Sequence, residues 1–100
     1  MSNIGTMTKH EDGLFTGKIS TLKHRFELRL VPIEEPNREG PHYRAFSGDA
    51  ELGAGWIRTS KNDSEYVSLS LDDPAFEAPL YANIVRQPNS DNWAIIWSRR

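Results

Sequence analysis

The stretch from residue 53 to residue 74 constrains the fold more than any other part of the chain. Its second half alternates, with Val67, Leu69 and Leu71 on one side and polar or half-polar residues between them. This period of two is typical of a strand with one buried face. The segment Ser60–Ser64, which precedes the alternation, consists of residues that favour turns. The stretch therefore predicts a β-hairpin within a β-rich domain.

Composition limits the classes of protein to consider. The chain has 100 residues, of which 37% are hydrophobic and 26% charged, as in an ordinary single globular domain. Its net charge of -2 gives no overall attraction to nucleic acid or membranes. The absence of cysteine excludes disulfides, thiolate zinc sites and cysteine nucleophiles. The first ten residues lack the apolar run of a signal peptide or membrane helix. We expect a cytoplasmic location and no membrane partner.

Further alternating runs, separated by turn residues, extend the β pattern over residues 1–100. The strongest run is Thr21–Val31, which places Leu22, Phe26 and their alternate neighbours on an apolar face together with His24. The whole chain reads as one all-β domain of about seven short, mainly antiparallel strands. A closed barrel or a two-layer sandwich would bury the apolar faces. Prolines at both ends limit residues 73–78 to at most one short helical turn.

The segment 32–41 differs from the rest of the chain. It contains three prolines, three glutamates and a glycine, a composition that disfavours regular structure. The sequence predicts an exposed Pro/Glu-rich loop there.

Several short sequences, in a fixed order, resemble a known family. They are Asn3-Ile-Gly-Thr-Met-Thr8, Phe15-Thr-Gly-Lys-Ile19, Leu30-Val-Pro32, the hairpin described above and Ile96-Trp-Ser-Arg99. Together they resemble the bacterial family catalogued as domain of unknown function 736, over nearly the whole chain. The resemblance implies a small stand-alone bacterial protein of the cytoplasm, often encoded on plasmids or integrated mobile elements. It carries over no catalytic residues.

The residues that could support catalysis or metal binding are few. Asp72 and Asp73 form an adjacent acidic pair that would suit a cation or acid/base chemistry, but Asp-Asp-Pro is also a typical capping sequence, which we favour. The histidines His10, His24 and His42 lack ligand-like spacing, and His24 reads as a core residue. No phosphate-binding loop and no Gly-x-Ser-x-Gly sequence occurs. We therefore predict no enzyme activity, catalytic residue, metal site or cofactor.

One candidate binding face remains, formed by outward residues of the hairpin and the strand before it. Small β-barrels bind single-stranded nucleic acid through exposed aromatics and nearby cations. Against this, acidic residues outnumber basic ones, 14 to 12. The residues of the face are Arg44, Arg58, Lys61, Tyr66 and Ser68.

The last strand suggests a second kind of interaction. Trp93, Ile95 and Trp97 share one of its faces, and Ala94 and Ile96 occupy the other. A strand that is apolar on both faces is either central in the core or covered by a partner. At a sheet edge it could pair with a second copy to form a homodimer. We interpret the chain as a non-catalytic module that binds a macromolecular partner, with single-stranded nucleic-acid binding as the alternative.

Overall fold

The computed structural model describes residues 2–34, 38–88 and 90–98. Each strand pairs antiparallel with the next along the chain, and the last strand pairs with the first, which closes a barrel. The strands are β1 (Ser2–Lys9), β2 (Phe15–Ser20), β3 (Arg25–Pro32), β4 (Tyr43–Ser47), β5 (Ala50–Thr59), β6 (Glu65–Leu71), β7 (Leu80–Arg86) and β8 (Asn92–Trp97).

The predicted all-β class is confirmed, with eight strands where about seven were expected and a barrel rather than a sandwich. The strands follow one another in up-and-down order, and the two outer strands of the eight-stranded sheet, β1 and β8, pair with each other and close it. β8 is bonded to β7 on one side and to β1 on the other. β8 therefore does not lie at a sheet edge, which was the condition for dimerisation through its backbone, while dimerisation itself stays a prediction.

The inward residues of the strands fill the barrel. Val67, Leu69 and Leu71 point inward as predicted, and each is 3% exposed or less. Burying a side chain of this size stabilises the fold by roughly 1.5–3 kcal/mol. The largest side chains that are almost completely buried are Phe15, Met7, Ile19, Leu28, Leu30, Leu69, Leu71, Ile84 and Ile95.

The predicted start of the third strand is wrong. Leu22 was assigned to the apolar face, but it is fully exposed in the turn before β3, which begins at Arg25. The turn is fixed by hydrogen bonds that join Thr21 and His24, including one of 2.7 Å from the Thr21 N–H to the His24 carbonyl. His24 is half-buried rather than a core residue, and its ring lies 4.8 Å from that of Phe76, edge to face.

The segment between β6 and β7 covers one end of the barrel. Phe76 packs against the inward Phe26, with ring centroids 5.9 Å apart. Asp73 shapes this segment, because its carboxylate accepts a hydrogen bond of 2.8 Å from the Ala75 N–H and its carbonyl accepts one from the Phe76 N–H. Residues 73–78 thus form a hydrogen-bonded turn and bends rather than a helix. Asp73 has the capping role that we favoured for it.

At the other end of the barrel, here called the open end, the β5–β6 hairpin projects beyond its neighbours. The pairing of β4 with β5 ends at Tyr43 and Gly55, although β5 continues to Thr59. Beyond that point a side chain replaces the missing strand: His42 Nδ1 accepts a hydrogen bond of 3.0 Å from the Ile57 N–H. The tip of the hairpin therefore has no neighbouring strand on this side.

The predicted loop 32–41 lies between β3 and β4. Pro32 is the last residue of β3, and residues 35–37 lie outside the described part of the chain. The two sides of the loop are joined by a 2.9 Å hydrogen bond from the Ile33 N–H to the His42 carbonyl. Within the described residues, no helix is long and apolar enough to cross a membrane.

Candidate interaction surface

Three of the five predicted site residues lie together on the outer surface of the β5–β6 hairpin. Arg58 is the register partner of Tyr66, so their side chains leave the sheet side by side. Ser68 is the next outward residue of β6 and is paired with Trp56. Val67, between Tyr66 and Ser68, belongs to the core, so these two side chains and their register partners Arg58 and Trp56 face away from it.

Lys61 lies at the exposed tip of the same hairpin. The tip is a compact turn, closed by a 2.8 Å hydrogen bond from the Ser60 N–H to the Ser64 carbonyl. Asp63 adopts the left-handed backbone conformation there, with a φ of 61°, which aspartate tolerates better than most residues. Lys61 thus lies beyond Arg58 and Tyr66, at the end of the hairpin, and not beside them on the sheet.

Arg44 is separated from the others and is already engaged. Its register partner is Ala54, four residues before Arg58 along β5, or about 13 Å. Its guanidinium donates two hydrogen bonds of 2.9 Å to the Glu51 carboxylate. This hydrogen-bonded contact raises the pKa of Arg44 and lowers that of Glu51. A phosphate would have to compete with Glu51 for Arg44, which weakens the case for nucleic acid.

A larger feature of the surface was missed in the sequence. The outward residues of the last four strands, from Ala54 onward, contain neither Asp, Glu nor Lys, and Arg58 stands at their margin. We call this surface the neutral face. Its exposed or half-buried residues are Ala54, Trp56, Tyr66, Ser68, Ser70, Tyr81, Asn83, Val85 and Ile96.

The neutral face is a continuous surface because the register aligns its residues in rows. One row runs from Trp56 through Ser68 and Asn83 to Ile96, across all four strands. Among the described residues, Tyr81 and Val85 are large hydrophobic residues that remain exposed, with 40% and 38% of their surface accessible to solvent. The signal in the sequence was the absence of charge at alternate positions of these strands.

The opposite half of the barrel has a charged outer surface. Lys18 of β2 is the register partner of Glu27 of β3, and Arg25 and Arg29 flank Glu27 along the strand. Alternating charges of this kind are usual on a solvated strand face. The two halves of the barrel therefore differ in chemistry, although they share one fold.

The open end of the barrel contains a polar group with a shifted pKa. Burial raises the pKa of the Tyr43 phenol, and the negative charge of Glu65 raises it further. The neutral phenol is thus favoured in the folded protein relative to the unfolded chain, in which the pKa of tyrosine is about 10.

We predict a loss of stability at alkaline pH that depends on Tyr43. A raised pKa contributes stability that is fully present below pH of about 10 and is lost as the pH rises through the folded value. The free energy of unfolding, measured with urea between pH of about 8 and 11, should fall less steeply in Tyr43→Phe than in the unsubstituted protein. Equal slopes in the two proteins would contradict this assignment.

The described residues contain no group of three or more His, Asp or Glu placed to hold a metal ion. In a comparison with known proteins, a family model described as "Protein of unknown function (DUF736)" matches residues 3–100. No curated protein matches the chain. No solved structure matches it either.

Proposed function

We propose that this chain, which belongs to the DUF736 family, is a non-catalytic module that binds a folded protein through the neutral face. The observation that carries the proposal is the combination of aromatic and small polar residues with almost no charge on this surface. The cores of protein interfaces are enriched in Tyr and Trp and depleted of Lys, Glu and Asp. The setting that we propose is the bacterial cytoplasm, in association with a mobile genetic element, as the family resemblance implies.

Charge complementarity defines the chemistry of the partner. A partner rich in charged residues would lose hydration on contact with Trp56, Tyr81 and Ile96 without gaining ion pairs. An apolar, uncharged surface would lose little and would still find hydrogen-bond partners in Ser68 and Asn83. We therefore expect the partner to present an uncharged surface with aromatic or aliphatic residues at its centre.

Shape further restricts the partner. The outer surface of a barrel is convex, and two convex surfaces touch over a small area. A stable interface usually buries about 800 Å² on each partner. A second copy that used the same face would not readily reach this area, whereas a partner with a concave surface would. The homodimer is thus an outcome to be tested rather than the proposal.

Nucleic acid is the alternative that the test must distinguish. Its binding depends on neutralising phosphates with Lys or Arg. The neutral face has only Arg58 at its margin and Lys61 at the hairpin tip, since Arg44 is engaged with Glu51. The aromatic residues could stack bases, but the cations needed to hold the backbone are few.

The test introduces one charge at the centre of the neutral face. Ser68→Glu places a carboxylate beside Trp56 and Asn83, where an uncharged partner would have to desolvate it. Ser20→Glu is the matched control, because Ser20 is also an outward-facing serine of a strand but lies on the charged half. Each protein is immobilised and exposed to extract of the cells that carry the gene, with and without nuclease treatment. Retained proteins are identified by mass spectrometry and retained nucleic acid by gel electrophoresis.

We expect the unsubstituted protein and Ser20→Glu to retain the same protein, and Ser68→Glu to retain at least about tenfold less, a loss of about 1.4 kcal/mol. Binding of the purified partner should then change little with salt concentration. Equal retention by all three proteins would refute the role of the neutral face. Retention of this chain's own copies only would identify a homodimer. A ligand that disappears with nuclease and weakens steeply with salt would establish nucleic-acid binding instead.

A further inference from the structure

A second potential site lies at the open end, where two hairpins separate. The pairing of β6 with β7 ends at Val67 and Ile84, although β6 begins at Glu65 and β7 ends at Arg86. By contrast, the pairing of β7 with β8 continues to the end of β7. The segments 65–66 and 85–86 therefore face each other without strand pairing, and a solvent-open cleft of about 900 Å³ adjoins them.

Two cations flank an aromatic ring in this cleft. Trp93 is the register partner of Arg86, and Lys9 Nζ lies 5.7 Å from the centroid of the Trp93 ring on the other side. Lys9 Nζ is also 5.8 Å from the ring of Phe15 below. Within the described residues, neither Lys9 nor Arg86 forms an ion pair with a carboxylate. Both positive charges are thus available to an anionic group that lies over Trp93.

The other side of the cleft carries negative charge. Glu65 lies there, close enough to Tyr43 for its charge to raise the pKa of that phenol, and Asp63 of the same hairpin also lines the cleft. A third carboxylate, Asp91, lines the cleft from the turn between β7 and β8. A ligand with only negative groups would be repelled by these carboxylates, and one with only positive groups by Lys9 and Arg86. The cleft therefore suits a ligand that combines a carboxylate with an N–H donor.

The cleft also offers apolar surface. Val85, Pro88 and Trp93 line it, and Ile57 is 37% exposed in the adjoining hollow above Phe15. Carboxylate, neighbouring amide N–H and apolar side chain occur together at the C-terminus of a polypeptide. There is room for an extended chain end to lie alongside the separated strand segments. Other proteins bind extended peptides beside a strand in this way.

We propose that this cleft binds the carboxyl terminus of an extended polypeptide that ends in an apolar residue. The α-carboxylate lies between Lys9 and Arg86, the last amide N–H donates to Glu65, and the last side chain packs against Trp93. This site adjoins the neutral face at Val85, but its charged residues lie outside that face, and the proposal does not depend on the function proposed for it.

The test uses N-acetyl-leucine, which has the carboxylate, the amide and an apolar side chain, and N-acetyl-leucinamide, which lacks only the negative charge. Amide and indole resonances of the ¹⁵N-labelled protein are followed by NMR during titration. We expect saturable shifts around Lys9, Arg86 and Trp93 with a Kd on the order of millimolar for the acid. The amide should bind at least about tenfold more weakly, because it leaves both cations without a partner.

Variants assign the effect to the cleft. The double substitution Lys9→Gln and Arg86→Gln should weaken N-acetyl-leucine at least about tenfold, whereas Lys61→Gln, at the hairpin tip outside the cleft, should not. The NMR spectrum of each variant shows directly that it is folded. Ser68→Glu should bind N-acetyl-leucine normally even if it loses the protein partner, so the two proposals fail separately.

Three results would overturn the proposal. The first is the absence of saturable shifts up to about 50 mM N-acetyl-leucine, which is far above the expected Kd. The second is equal affinity for the acid and the amide. The third is tighter binding of free leucine than of N-acetyl-leucine, which would identify the ligand as an amino acid with a free amino group rather than a chain end.

Discussion

Replacement of Phe15 by alanine should lower the free energy of unfolding by about 3–5 kcal/mol, the usual cost of removing a buried aromatic ring. Phe15 is completely buried, and its ring packs edge to face on Tyr43 at 5.6 Å and on Trp93 at 5.2 Å. It therefore supports two of the side chains at the open end as well as the core. Urea denaturation at neutral pH measures the loss, which corresponds to a fall in Tm of roughly 12–40 °C for a domain of this size.

Leu22→Ala is the matched control for this prediction. The alternating pattern assigned Leu22 to the core as well, but the side chain is fully exposed in the structure. Its removal should change the free energy of unfolding by no more than about 0.5 kcal/mol. Similar losses in Leu22→Ala and Phe15→Ala would show that the turn before β3 is packed differently from the structure described above.

Gly17→Ala should destabilise the protein by about 1–3 kcal/mol, although it adds only one methyl group. Gly17 faces inward on β2 between Met7 and Leu28. A Cβ at this position would overlap the Thr6 carbonyl oxygen and lie 2.6 Å from Met7 Sδ. The Met7 side chain can move, but the backbone of β1 is held by its pairing with both β2 and β8.

The outcome is measured by urea denaturation against Ser20→Ala, an exposed position on the same strand. Ser20→Ala should be neutral within about 0.5 kcal/mol. If Gly17→Ala were as stable as the unsubstituted protein, β1 and β2 would have to be farther apart here than the structure shows. Such a result would question the tight closure of the barrel on the side of β1.

Part of the fold follows from local patterns and part does not. The strand Leu80–Arg86 was predicted with the bounds that the structure shows, because its alternation is regular and prolines mark its surroundings. Leu22 was misplaced because an apolar residue at the right spacing is consistent with both a strand and a turn. The hydrogen bonds between Thr21 and His24 stabilise the turn. The spacing of apolar residues along the sequence gives no information about such bonds.

The candidate surface shows the same division. The outward positions of Arg58, Tyr66 and Ser68 follow from the period of two. The pairing of Arg44 with Glu51 depends on the irregular register between β4 and β5, which shifts next to Ala45 and Phe46. An arginine that looks available in the sequence is thus bound to a carboxylate in the folded protein.

The two proposed sites have different physical origins. Most side chains of the neutral face stand on regular, paired strands, and only Tyr66 and Val85 lie where the pairing of β6 with β7 has stopped. The shape of its centre should therefore persist whether or not a partner is bound. The cleft arises where the pairing of β6 with β7 stops and the two hairpins separate. Substitutions such as Ser68→Glu and Lys9→Gln therefore examine two surfaces that need not act together.

The sequence by itself determined the β class, the approximate positions of the strands and which side of most strands is apolar. These properties depend on residue type and on the spacing of near neighbours along the chain. Only the tertiary structure decided that eight strands close into a barrel, that β8 has no free edge and that the outward residues of β5–β8 form one uncharged surface. The reason is that alternation fixes the direction of a side chain relative to its own strand, whereas strand order and register fix its neighbours across the sheet.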